Sequence, residues 1–89
     1  MIKSFKCKET DKIYNGLFSK KIPYEIQRRA LIKLRSLDIA EELFDLTTPP
    51  ANFLEQLQGD RKGQHSIRIN QQYRICFEWK ENEAYNVEI

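Results

Sequence analysis

The sequence predicts a small α+β domain in which an N-terminal strand and helices pack on one face of an antiparallel β-sheet. Three observations predict it. Ile26, Ala30, Leu34 and Leu37 recur at near-helical spacing in the first half, Thr47-Thr48-Pro49-Pro50 is a run no helix can cross, and three runs with period-two alternation follow it. At 89 residues, with 40% hydrophobic and 31% charged residues and only three Gly and three Pro, the chain has the length of one domain over 1–89 and the composition of a globular protein.

Ile2 to Cys7 has strand length, and Lys8-Glu9-Thr10-Asp11 then supplies polar breakers and a candidate N-cap. A short helix is expected from about Asp11 to Phe18, with Ile13, Leu17, Tyr14 and Phe18 on its buried side. Pro23 suits the first turn of a second helix, where its missing N–H costs nothing, and this helix carries the apolar series from Ile26 to Leu37. Asp38 offers a break before a third helical turn through Ile39 to Phe44. After the two prolines, Asn52 to Leu57 reads as a strand and Gly59 to Gly63 as a turn. Gln64 to Asn70, Tyr73 to Trp79 and Ala84 to Ile89 read as the strands of a meander.

The net charge of +2 is too small to mark a nucleic-acid binder. Its distribution is uneven: residues 1 to 22 hold six lysines against Glu9 and Asp11, so one end is basic. A solvated lysine-rich face is the simpler account of that excess. Cys7 and Cys76 have no CxxC spacing and no clustered histidine, so neither a metal site nor a cofactor is expected. With no signal peptide and no apolar run approaching the ~20 residues that span a bilayer, the expectation is a soluble cytoplasmic protein with reduced thiols and no membrane partner.

Alternation sorts the meander into two faces. Ile67 and Ile69, then Tyr73, Ile75, Phe77 and Trp79, then Tyr85, Val87 and Ile89 are expected to face the helices. Ser66 and Arg68, then Arg74, Cys76 and Glu78, then Asn86 and Glu88 fall on the other side. Two arginines on neighbouring strands could form a phosphate clamp, because a guanidinium donates two parallel hydrogen bonds and keeps its charge. Glu78 and Glu88 equally allow ordinary cross-strand ion pairs. The loop Gly59-Asp60-Arg61-Lys62-Gly63 could receive an anion on its amides and bases, although glycines are common in turns for steric reasons. His65 follows it and by alternation points inward with Ile67, as a core or edge histidine would.

The run from Leu54 to Trp79, with Gly59-Asp60-Arg61-Lys62-Gly63-Gln64-His65-Ser66-Ile67-Arg68 at its centre and Tyr73-Arg74-Ile75-Cys76-Phe77-Glu78-Trp79 at its end, resembles the core signature of HigB-type toxins in the RelE/ParE superfamily. Met1-Ile2-Lys3-Ser4-Phe5, Leu37-Asp38-Ile39-Ala40 and Pro49-Pro50 extend the likeness over essentially the whole chain.

The resemblance implies a RelE-like, microbial-RNase-like fold and a type II toxin that cleaves mRNA in the ribosomal A site, without a metal. It implies as partners the ribosome, mRNA and a HigA-type helix-turn-helix antitoxin, with operator DNA reached only through the antitoxin. Arg74 matches the family's strand arginine, Arg61 and Lys62 its basic loop, and Arg68 is a weaker addition on the adjacent strand as an RNA contact. Family members run past the last strand into a tail ending in Tyr-His, whereas this sequence stops at Asn86-Val87-Glu88-Ile89. The family's histidine before the Gly-Asp-Arg turn is replaced by Glu55 nearby, which leaves Glu55 and His65 as candidates for general base. Two further readings remain: a tail-less body that binds its antitoxin without cutting RNA, and a ParE-like gyrase inhibitor.

Overall fold

The computed structural model describes residues Met1–Ile89. Helix α1 (Lys8–Tyr14) and helix α2 (Tyr24–Ile39) lie against a four-stranded antiparallel sheet of β1 (Glu55–Gln56), β2 (Gln64–Arg68), β3 (Arg74–Lys80) and β4 (Glu83–Glu88), in the spatial order β1-β2-β3-β4. No helix is long and apolar enough to cross a membrane. Each strand pairs with its sequence neighbour, as short connections dictate.

Helix α2 buries Ile26, Ala30, Leu34 and Leu37, the series its spacing predicts. These side chains meet Ile67, Ile69, Ile75, Phe77, Ala84 and Val87 from the sheet in one cluster. Each fully buried aliphatic or aromatic side chain there contributes about 1.5–3 kcal/mol. Pro23 stands at the N-cap of α2 rather than inside its first turn. Asp38 does not break the helix, which runs on to Ile39. The expected third helical turn is displaced to a 3-10 segment, Leu43–Thr47, opened by a reciprocal capping box between Glu42 and Asp45.

Helix α1 starts and ends earlier than periodicity predicts. Gly16 sits at φ +80, with its N–H donating to Ile13 O (3.0 Å) and the Leu17 N–H to Lys12 O (2.8 Å). This Schellman pair stops the helix, and only a residue that tolerates the left-handed region serves there cheaply. Leu17 and Phe18, expected in the core, are therefore carried out to the surface at 60% and 57% exposure. The chain returns through buried Ser19, whose hydroxyl donates to Glu9 Oε1 (2.6 Å) while Gln27 brackets its backbone.

The expected first strand, Ile2 to Cys7, is an extended segment with two isolated parallel bridges to β4, Ile2 with Ala84 and Phe5 with Val87. The partner is irregular, which prevents a regular ladder. β4 carries one extra residue opposite β3, where the register shifts between Cys76 and Glu78, and Asn86 adopts φ +53 at that bulge. The extra residue resets alternation. Ala84 and Val87 face the core, and Tyr85, expected inward, lies opposite Glu78 on the polar face.

Asp38 ties the N-terminal segment to α2, accepting from the Ile2 N–H and the Tyr14 hydroxyl, both at 2.8 Å. Burial pushes its carboxyl up, but those two donors and the positive N-terminus outweigh it and hold the group below its ordinary value. A carboxyl depressed in the folded state contributes stability that is present above the unfolded value of about 3.9 and lost as pH falls through the lower folded value. Asp38→Asn should therefore lower the melting temperature at pH 7, and the gap to the parent should narrow in scans taken below about pH 3. A gap that stays constant with pH would assign the loss to packing instead.

Candidate functional site

The register builds the polar face strand by strand. Glu55 pairs with Ser66, Ser66 with Cys76, Cys76 with Glu88, and Arg68 stands directly across from Arg74. Two like charges at a directly opposed pair repel, so each guanidinium needs something else to hold it. Arg74 donates from Nε to the buried Ser66 Oγ (2.8 Å) and from its terminal nitrogen to Phe53 O (2.7 Å). The same terminal nitrogen lies 3.7 Å from Glu55 Oε2. Arg68 lays its guanidinium over the Phe53 ring, 4.1 Å from the centroid. Its Nε is buried and donates to no protein atom.

Phe53 links the two arginines, and its backbone is unusual. The expected strand from Asn52 to Leu57 is instead a 3-10 turn, Pro50–Asn52, then Phe53 in the left-handed region (φ 45, ψ 55), then the two-residue β1. For a residue with a Cβ that conformation costs roughly 1–2 kcal/mol, and glycine or asparagine is its usual occupant. Asn52 supplies the anchor. Its side chain is fully buried, donates to Leu46 O (3.1 Å) and Thr48 O (3.3 Å), and accepts from Lys33 Nζ. Burial pushes the Lys33 ammonium below its ordinary value, with Arg29 adding to the effect.

Arg61 extends the basic surface, lying 3.7 Å from Glu88 Oε1 and donating to Gln64 Oε1 at 3.1 Å. Lys6 approaches the other carboxylate oxygen of Glu88 at 3.5 Å, so the basic N-terminal segment borders the same face. Lys62 is exposed beside Arg61. Cys76 sits among these groups, and burial pushes its thiol up. Glu78 pairs with Lys80 and accepts from Asn86 Nδ2 (2.7 Å), so neither it nor Glu88 pairs with Arg68 or Arg74.

His65 is on the other side of the sheet. It stands opposite Phe77, ring centroids 5.9 Å apart, and burial pushes its imidazole below the ordinary value. The structure thus brings together Arg74, Glu55 and Arg68, places Arg61 and Lys62 at the rim, and separates His65 from them by the thickness of the sheet. Phe53 and Tyr85 are the face residues that sequence reasoning missed. Asn86, which tolerates positive φ, was a signal for the bulge that turns Tyr85 outward; nothing in Pro-Pro-Ala-Asn-Phe marks the phenylalanine as the left-handed residue. No three His, Cys, Asp or Glu side chains converge to hold a metal ion.

The helix-backed antiparallel meander is a fold shared with solved toxin-antitoxin structures. The chain superposes over its full length on 97% of a chain from the YoeB-YefM complex of Staphylococcus aureus, with a TM-score of 0.58 at 14% identity. A heterotetrameric YoeB-YefM toxin-antitoxin complex from the same organism gives 0.60 at 16%, also over the full chain. Residues 3–89 match the family described as the RelE-like toxin of type II toxin-antitoxin system HigB, and the chain belongs to that family. It is 45% identical over 65 residues to "Toxin HigB-1" of Vibrio cholerae, covering 73% of this chain and 68% of that one. It is 32% identical over 85 residues to "Endoribonuclease HigB" of Proteus vulgaris, covering 96% and 91%.

Proposed function

We propose that this toxin is an endoribonuclease of the cytoplasm that cleaves mRNA in the ribosomal A site and is neutralised by a HigA-type helix-turn-helix antitoxin, which carries it to operator DNA. The observation that carries the reading is Arg74. Its guanidinium is pinned by Ser66 and the Phe53 carbonyl beside the Glu55 carboxylate, on a face flanked by Arg68 and Arg61. Such a group is preorganised for a phosphate whose charge grows as it reacts.

RNA is cut when its own 2′-hydroxyl attacks the adjacent phosphorus. The 2′-proton passes to a base as the 2′-oxygen bonds phosphorus, the P–O5′ bond breaks, and the departing 5′-oxygen takes a proton from solvent, leaving a cyclic phosphate and a 5′-hydroxyl. In this assignment Arg74 stabilises the phosphorane and Glu55, 3.7 Å from it, takes the 2′-proton. His65, across the sheet, is the weaker candidate for base. Lys6, Arg61, Lys62 and Arg68 hold the RNA backbone and the ribosome.

Primer extension on a defined mRNA in a reconstituted translation system tests the reading. Cuts at A-site codons that require ribosomes support it. Absence of cuts, from chain shown to be folded, leaves the antitoxin-binding body without nuclease activity, and gyrase-dependent DNA breaks would support the ParE-like alternative. Ribosome affinity should also fall steeply with salt, and Arg61→Gln with Lys62→Gln should flatten the log–log slope by about 1 per lost phosphate contact. An unchanged slope would remove the loop from the interface.

A further inference from the structure

Phe53 is 50% exposed although its neighbour Asn52 is fully buried and the loop around it is tightly bonded. A residue serving only the core would be covered, and one serving only the turn would be glycine or asparagine at this φ. One flank of the ring is occupied by the Arg68 guanidinium, and the half-exposed residue keeps area for a second planar group. Its carbonyl is bonded to Arg74, so ring and phosphate-binding guanidinium are held in fixed relation.

Resting on the RNA-cleavage reading above, we propose that Phe53, backed by Arg68, is a stacking platform for the nucleobase beside the phosphate held by Arg74. Bases of single-stranded RNA stack on aromatic side chains and on guanidinium planes, and the larger purines offer more area than pyrimidines. The platform therefore makes the protein favour a purine at that nucleotide. It also gives the left-handed backbone a purpose, since that turn sets the half-exposed ring against Arg68 instead of along a strand.

The test uses a short single-stranded RNA carrying 2-aminopurine, titrated at low salt with the parent, Phe53→Gly, Phe53→Leu and Phe53→Trp, alongside cleavage profiles in the translation system. Stacking predicts quenching by the parent and by Phe53→Trp, and a loss of affinity of about tenfold or more in Phe53→Gly and Phe53→Leu. Phe53→Gly should keep or raise the melting temperature, because glycine accepts φ +45 without strain. The purine preference among cleaved codons should weaken in both. If the parent cleaves and Phe53→Gly and Phe53→Leu match it in quenching, rate and codon profile, the platform is overturned while the nuclease reading stands. Phe53-dependent quenching without any cleavage overturns the nuclease reading and keeps the platform. No quenching by the parent overturns the platform outright.

Discussion

Replacing Arg74 by alanine is expected to lower mRNA cleavage by about 100- to 1,000-fold while the domain stays folded. The size follows from the loss of a preorganised charged donor aimed at developing negative charge. Retention of fold follows from the side chain's position outside the hydrophobic cluster. The structure does add a modest stability loss, since Ser66 Oγ and Phe53 O both lose a donor. That loss should be about 1–2 kcal/mol, or roughly 4–16 °C in melting temperature. Arg74→Lys separates charge from geometry: it restores a positive group but not the planar fork, and should recover only part of the activity. Thermal scans and single-turnover cleavage on the same preparations decide the matter. Full activity in Arg74→Ala, or collapse of the fold, would contradict the assignment.

Asn52→Ala should be the most damaging single change to the loop that carries Phe53. It leaves the Leu46 and Thr48 carbonyls without their side-chain donor and strips Lys33 of its acceptor, all in or near the interior. Unmet polar groups of this kind cost about 1–3 kcal/mol each, and relaxation recovers some of that; a net loss of about 3 kcal/mol corresponds to roughly 12–24 °C for a domain of this size. Lys33→Met removes the partly buried charge but leaves the buried Asn52 Oδ1 without that donor, and with one group unmet instead of three it should cost less, about 1–3 kcal/mol. A melting temperature unchanged in Asn52→Ala would mean that the prolines and Leu46 alone hold the loop.

Much of this fold is legible in the sequence, and the misses have physical causes. The α2 series from Ile26 to Leu37 and the alternation of β2 and β3 are local patterns repeated often enough to identify an element and its buried side. That is also why Arg68 and Arg74 are recognisable as residues of one face. Gly16 ends α1 early, a stop that the apolar Leu17-Phe18 after it disguises, because they continue the helical spacing past the glycine. Tyr85 and Phe53 failed for another reason: one inserted residue in β4 and one left-handed residue before β1 each reverse the direction of a side chain, and alternation assumes that neither occurs. The closeness of Glu55 to Arg74 depends on β1 pairing with β2, a tertiary event that a two-residue strand does not announce.

The pairing of the N-terminal segment with β4 bears on when the toxin can become complete during its own synthesis. The Asn86 N–H donates to Ser4 Oγ across 82 positions of chain, and the Ile2 and Phe5 bridges span similar distances. At translation rates of about 5–20 residues per second, Ser4 waits on the order of 4–16 s for that partner to be polymerised. Until then the sheet lacks its fourth strand, and Lys6 and Arg61 lack the Glu88 carboxylate that lies between them. Closure is therefore a late, long-range step, of the kind that slows folding. A nascent chain therefore lacks the finished sheet face, and with it the surface proposed to hold RNA.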